Sequence, residues 1–324
     1  MKLPRRTFLH LTTAAMLSSV SRSARAQTYP TRAVRIIVPF PAGGTADILA
    51  RLTGQWLLER LGQQFIIENR PGAGANIGTE VAVRAPPDGY TLLVLGPANA
   101  INATLYEKLN FNFIRDIAPV AGIIRTPLVM AVNPLFPAKT VPEFISYAKA
   151  NPGKINMASS GNGASPHVAG ELFKMMAGIN MLHVPYRGEA PALNDLIGGQ
   201  VQVYFGLLPG TIEYFKSGTL RPVAVTTTVR SELLPEIPAI GEFMPGFEAS
   251  YWAAVGAPRN TPVEIIQRLN KEINAGLADP KLKARFAELG GTMLCGSPAD
   301  LGKLIADDTE KWAKVVKFSG AKPD

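Results

Sequence analysis

Two α/β domains joined by a hinge are the fold this chain predicts, and three observations carry that expectation. Short β-branched runs alternate with amphipathic stretches over most of its length, the pattern of parallel strands connected by helices. The 324 residues are 47% hydrophobic and 18% charged, enough apolar material for two cores and unlike a disordered or fibrous chain. A second strand and helix series starts near residue 125, and the Pro- and Glu-rich stretch RSELLPEIPAIGEFMPGFEAS over 230–250 ends it, so the backbone crosses between the two bodies twice. The expected division is 27–124 with 230–324 as the first domain and 125–229 as the second.

The opening unit, VRIIVPFPAGGTADILARLTGQWLL over 34–58, sets the pattern. Val34, Ile36, Ile37 and Val38 suit a buried parallel strand, and Pro39 and Pro41 forbid its continuation. A strand over 65–68, a glycine-rich turn over 71–78, a helix over 76–85, the turn Pro86-Pro87-Asp88-Gly89 and a strand over 90–95 follow. The second series predicts strands near 128–132, 155–158, 182–185, 201–205 and 222–227, with helices near 141–150, 166–177, 190–198 and 211–217. A strand over 251–255 comes after the Pro-rich connection. Thr140 before Glu143, Thr261 before Glu264 and Ser297 before Asp300 each place a capping hydroxyl three residues ahead of an acid, a helix start. Val263, Ile266, Leu269, Ile273 and Leu277 then fall on one helical face. No repeat of solenoid period is present.

The first 26 residues read as a leader rather than as fold. Arg5-Arg6-Thr7-Phe8-Leu9 is a twin-arginine pattern, an apolar stretch too short to span a bilayer runs to Val20, and Ala24-Arg25-Ala26 fits a cleavage site. The expected mature protein starts near Gln27, exported to the periplasm. Removing the five basic residues of the leader, which contains no acid, lowers the formal charge from +8 to +3. Without basic clusters, that charge gives no case for nucleic-acid binding. Cys295 is the single cysteine, so neither an internal disulfide nor a thiolate metal site is expected.

Two turns carry the candidate chemistry. In Phe40-Pro41-Ala42-Gly43-Gly44-Thr45-Ala46-Asp47, the glycines remove Cβ atoms just before a helix whose first amides lack partners, which favours a carboxylate or phosphate. The same turn also suits plain capping, with Thr45 as N-cap and Asp47 complementing the helix dipole. Ser159-Ser160-Gly161-Asn162-Gly163-Ala164-Ser165-Pro166-His167 duplicates it in the second body, with Ser165 as N-cap and Pro166 in the first turn. Gly96-Pro97-Ala98-Asn99 is a further strand-end turn, and Phe205-Gly206 is expected to complete the cleft. Gly72-Ala73-Gly74-Ala75-Asn76-Ile77-Gly78 is a near miss to the dinucleotide fingerprint, with the wrong spacing and three residues between it and its strand. His167 and His183 lack metal-ligand spacing, and Ser160 is not in a nucleophile elbow. No acid, base and nucleophile set can be assembled, so neither an enzyme nor a cofactor is expected.

These segments together resemble the periplasmic solute-binding proteins of tripartite tricarboxylate transporters, the Bug family. The likeness runs through the turn at 39–47, then Glu68-Asn69-Arg70-Pro71-Gly72-Ala73-Gly74-Ala75-Asn76-Ile77-Gly78, then Pro87-Asp88-Gly89-Tyr90-Thr91-Leu92-Leu93. It continues through 159–167, Val184-Pro185-Tyr186-Arg187-Gly188 and Gly198-Gly199-Gln200-Val201. Family members often have lysine at Arg187 and glycine at Ala75. The resemblance implies two doubly wound domains of the type II periplasmic-binding, or Venus flytrap, class. It also implies a small carboxylate held between the two turns, mainly by backbone donors and water. The ligand-binding set expected on this basis is Phe40, Ala42, Gly43, Gly44, Thr45, Asp47, Ala98, Asn99, Ser159, Ser160, Gly161, Gly163, Ala164, Ser165, His167 and Phe205. The expected ligand is a di- or tricarboxylate, an acidic amino acid or an aromatic acid, and the expected partner is a membrane permease, the receptor itself acting as a monomer. A receptor for a membrane sensor kinase, or an enzyme acting on a carboxylate, are the alternative readings.

Overall fold

A computed structural model describes residues 29–323. The leader, its twin-arginine pattern and the cleavage site near Ala26 lie outside the described residues.

The first strand, β1 (Val34–Val38), pairs in parallel with β2 (Phe65–Asn69) and β3 (Thr91–Leu95). Between them run α1 (Thr45–Leu61) and α2 (Asn76–Val83), so the predicted alternation is present. Gly62 closes α1 in the left-handed conformation, its amide donating to Leu58 O at 2.9 Å. Helix α3 (Pro97–Leu105) and the single turn α4 (Phe113–Asp116) lead into β4, which spans Ile117–Val132 and is almost wholly buried.

Strand β4 corrects the sequence expectation of a strand confined to 128–132. It also makes the sheet mixed rather than purely parallel. Pro119 and Gly122 argue locally against a strand, and the structure accommodates them with register shifts at Pro119/Ala121 and at Gly122/Ile124. Residues 117–127 of β4 pair antiparallel with β9 (Ser250–Pro258), which itself borders β3. Residues 128–132 pair antiparallel with β7 (Val203–Leu207) and residues 129–132 with β8 (Arg221–Val225). Beyond β7 lie the parallel strands β5 (Asn156–Ser159) and β6 (Leu182–Pro185), giving the order β2-β1-β3-β9-β4-β7-β5-β6. Two α/β halves thus share one strand. Helices α5 (Val141–Ala150), α6 (Ser165–Ala177), α7 (Glu189–Ile197) and α8 (Leu208–Lys216) belong to the second half.

The crossing point is held by Thr226, which is fully buried. Its amide donates to Leu128 O and the Leu128 amide donates to its Oγ1, both at 2.9 Å, while its carbonyl accepts from the Ala249 amide. One residue therefore ties together three chain segments at the junction of the halves.

The remaining helices are α9 (Val263–Ala278), α10 (Pro280–Glu288) and α11 (Pro298–Ser319), with the short β10 (Thr292–Met293) pairing with β4. In α9, Ile266, Leu269, Ile273 and Leu277 are buried as the periodicity predicts, but Val263 is exposed because it starts the helix at its outer edge. Thr140 and Ser297 accept from the amides three residues on, as predicted, and Asp300 completes a capping box. Thr261 does not cap; its hydroxyl donates to Pro258 O, and Pro262 takes the N-cap position. Helix α11 packs on α3 of the first half and on α6 of the second. Its Asp308 is buried, accepting from Trp252 Nε1 at 2.6 Å and paired with Lys311 at 2.7 Å.

Two stability outcomes follow from these contacts. Thr226→Val keeps the shape but leaves the buried Leu128 amide without an acceptor, so chemical denaturation should show a loss of about 2 kcal/mol. Ala75 lies at φ +84°, the left-handed region that costs a residue with a Cβ roughly 1–2 kcal/mol. Ala75→Gly should raise stability by about 1 kcal/mol on the same measurement.

Candidate functional site

Parallel strands of an α/β sheet deliver their connecting helices from the carboxyl ends, and ligands of such sheets bind there. A cleft of about 680 Å³ lies at that place between the two halves. It is lined by 40–42, 44–46, 96–98, Ser160, 164–166, Gly188, Glu189, Leu207 and Tyr251.

The N-caps of five helices all line this cleft: Gly44 of α1, Gly96 of α3, Ala164 of α6, Gly188 of α7 and Leu207 of α8. None of the five N-caps accepts through its own side chain, so first-turn amides keep donor capacity except where Pro97, Pro166, Pro191 and Pro209 supply none. The amides of Thr45, Ala46, Ala98 and Ser165 have no backbone acceptor among the described residues. Each helix also brings partial positive charge to its N-terminus, and among the described residues no lysine or arginine lines the cleft. Its walls are otherwise apolar, with Phe40, Pro41, Pro97, Pro166, Leu207 and Tyr251.

The two expected caps differ from the sequence reading. Gly44 rather than Thr45 is the N-cap of α1, and Ala164 rather than Ser165 is that of α6. Thr45 and Ser165, one position into their helices, both line the cleft.

Of the residues expected to bind, the structure brings Phe40, Ala42, Gly44, Thr45, Ala98, Ser160, Ala164 and Ser165 to the lining. The others stand behind it. Asp47 is buried and fully engaged: its Oδ2 accepts from the Gly43 amide and its Oδ1 from Asn69 Nδ2, while Arg51 bridges both oxygens. The Arg51 guanidinium, then the Gly43 and Asn69 amides, hold its carboxyl below the ordinary range against the opposing effect of burial. Asn69 also donates to Phe40 O at 3.0 Å, so this network shapes the 40–44 loop and removes Gly43 as a donor to a ligand. Asn99 reaches back to the Gly96 amide at 3.0 Å and donates to Thr79.

In the second half, Ser159 Oγ lies 2.6 Å from His183 Nε2 and accepts from the Gly161 amide. The Gly163 amide donates to His167 Nδ1 at 3.0 Å, which places the ring proton of neutral His167 on Nε2. His167 stacks on His183 with ring centroids 3.8 Å apart. Burial first, then the neighbouring His183 and Lys174, push the His167 pKa down to about 3. Gly163, at φ +73°, sits against Leu105 of the first half, where any Cβ would collide. Phe205 is buried against Phe173, 5.6 Å between centroids, and Leu207 rather than Gly206 reaches the cleft. Arg187 is exposed and does not line it.

Sequence reasoning missed Gly188, Glu189, Leu207 and Tyr251. For the first three the signal was there: they follow the carboxyl ends of β6 and β7, where doubly wound sheets place their ligands. Tyr251 arrives on an antiparallel strand that this rule does not cover. A separate hollow of about 540 Å³ behind the 159–167 loop is lined by His167, Glu171, His183 and the 319–323 tail, and no helix N-cap opens onto it.

Because folded His167 resists protonation down to about pH 3 while an unfolded histidine titrates near 6.5, the unfolded chain binds the extra proton in that window. Stability is therefore lost as pH falls below 6.5, by up to about 1.4 kcal/mol per pH unit from this one group. Denaturant melts from neutral to acid pH should show this slope, and His167→Gln should flatten it.

The chain matches the model of the tripartite tricarboxylate transporter family receptor over residues 49–320. It is 36% identical to Protein BugT of Bordetella pertussis, over 97% of this chain and 96% of that protein. Among solved structures, R. palustris Rpa4515 with adipate superposes with TM-score 0.80 at 37% identity, covering 91% of this chain and all of that one. MatC from Rhodopseudomonas palustris with bound malate gives TM-score 0.76 at 29% identity, covering 89% of this chain and 100% of that one. The family is one of solute-binding receptors rather than enzymes, and its members include periplasmic binding proteins. With its two α/β halves and shared cleft, this chain belongs to the tripartite tricarboxylate transporter receptor family.

Proposed function

We propose that the chain is an exported periplasmic receptor that captures a small organic carboxylate in the cleft and delivers it to the membrane permease of a tripartite tricarboxylate transporter. The observation that carries this reading is the convergence of five helix N-termini, none with a side-chain cap from its N-cap residue, on one cleft that no lysine or arginine among the described residues lines. Such a surface recognises negative charge through fixed amide dipoles, which lose little entropy when the ligand arrives. Relatives solved with adipate and with malate support a ligand of this class.

In this reading the amides of Thr45, Ala46, Ala98 and Ser165 and the hydroxyls of Thr45, Ser160 and Ser165 meet the carboxylate oxygens. Phe40, Leu207 and Tyr251 cover the hydrocarbon. Ala42, Gly44 and Ala164 allow close approach, while Asp47, Asn99, Ser159, Gly161, Gly163, His167 and Phe205 hold the loops in shape. The lobes follow the expected division, 27–124 with 230–324 and 125–229, with the first crossing taken at Pro127–Leu128, where β4 changes its antiparallel partner. They swing about the segments joined by Thr226, and the ligand favours closure because both lobes contact it only when closed.

A thermal-shift screen of di- and tricarboxylates, acidic amino acids and aromatic acids tests the reading. A ligand at a hundred times its Kd should add about 2.7 kcal/mol of stability, and no shift with any acid would overturn it. Ala98 gives a sharper check, because it sits in the first turn of α3. Ala98→Asp suits that helix end yet opposes a bound anion. Calorimetry with the best acid from the screen should show affinity reduced about a hundredfold or more, a change of roughly 2.7 kcal/mol, with melting temperature unchanged. Ala98→Asn, of the same size, should lose much less.

A further inference from the structure

Glu189 is the only acidic side chain among the described residues lining the cleft, and no basic side chain lines it. It opens helix α7, directly after the N-cap Gly188. Its carboxylate lies against Gly210 in the first turn of α8, where a Cβ would stand 2.6 Å from Oε2. The missing side chain at 210 is therefore what gives this acid its place. The hydrogen bond it receives, from Tyr204 Oη, is long at 3.4 Å. Tyr204 in turn is bonded to Ser160 on the opposite loop of the same lobe.

Several partly buried acids of the chain have a cation: Asp47 has Arg51, Glu68 has Arg35 and Arg70, Glu171 has Lys174, and Asp308 has Lys311, whereas Asp195 and Asp279, neither of which lines the cleft, are held by neutral donors. Glu189 has no such ion pair among the described residues. The groups facing it are Tyr204 of β7 and the first turn of α8 around Gly210, with no positively charged side chain on either. Burial pushes its carboxyl above the ordinary range, the Tyr204 bond opposing. A carboxylate kept in a binding cleft without a cation repels a second carboxylate brought close to it and attracts an ammonium group.

We propose that Glu189 determines specificity, so that the cleft selects an amino carboxylate, its acid end on the helix N-termini and its ammonium on Glu189, over a dicarboxylate of equal length. This rests on the carboxylate-receptor reading above. It goes further by assigning the second end of the ligand. An acid in the first turn of α7 also complements that helix dipole. That role alone changes stability but does not discriminate between ligands, which is what the test reads.

The test is calorimetry near neutral pH on the full mature chain with two matched pairs, 4-aminobutanoate against succinate and 6-aminohexanoate against adipate. The wild type should bind the amino member of at least one pair about tenfold more tightly. Glu189→Gln, isosteric and neutral, should bring the two members of that pair to within about threefold while folding as before. A wild-type preference for the dicarboxylates, or a preference for the amino acids that survives Glu189→Gln, would overturn the assignment and leave the carboxylate receptor standing. So would proton uptake on adipate binding, seen as a heat that depends on buffer ionisation, since Glu189 would then be serving as a neutral donor. Binding of none of the four acids, together with no response in the broader acid screen, would overturn both readings.

Discussion

Everything in the cleft depends on one strand being hydrogen-bonded into two sheets. Residues 117–127 of β4 belong to the first half and 128–132 to the second, so the halves share a register through covalent backbone rather than through side-chain contact. Thr226 then ties the returning chain to Leu128 and Ala249 at that point. With the sheets fixed in this way, the carboxyl ends of β1, β3, β5 and β7 open onto a common space, together with the turn after β6. The helices that leave those strands bring their N-caps with them. The collection of donors in the cleft is thus a result of topology, and no single loop had to be shaped to produce it.

The electrostatics divide cleanly between lining and support. Backbone amides and short hydroxyls face the cleft, while the ionic groups of the first half stand one layer back. Asp47 illustrates the arrangement: a carboxylate that would repel an anionic ligand is saturated by Arg51, Asn69 and Gly43, and its effect on the cleft is to fix the path of the 40–44 loop. The His167 ring has the matching place in the second half, accepting from Gly163 where that glycine touches Leu105 across the divide. Glu189 departs from this rule by reaching the lining without a cation, and that departure makes it informative.

The alternation of strands and helices, and the two strand-end turns, were legible because local chemistry decides them. Pro39 and Pro41 end β1 wherever the chain is placed, and β-branched runs such as Val34–Val38 have few other uses. Strand β4 was legible only in its second half, because Pro119 and Gly122 read as breakers until β9 supplies a partner whose register can shift around them. Cap positions slipped by one residue at Thr45 and Ser165, since Ser and Thr are the favoured caps by propensity while the tight turns here use Gly44 and Ala164. Which of the expected residues line the cleft and which stand behind it was legible only in part, in the capping role open to Asp47. Asp47, Asn99, Ser159 and His167 are polar and lie in the right loops, and only the geometry shows that their bonds are spent on the protein.

Helix α11 has a mechanical consequence. It leaves the first half, where Asp308 is bonded to Trp252 on β9, runs along α3, and also packs against α6 of the second. Two rigid plates pinned at one edge can open freely only if nothing else spans the gap. Here a 22-residue rod lies across it, so any opening of the lobes has to slide side chains of α6 over α11. Such sliding proceeds in small shear steps between packed side chains. The joint would therefore have preferred stops, and its travel would be set by the grooves of α11 as much as by the bending of β4.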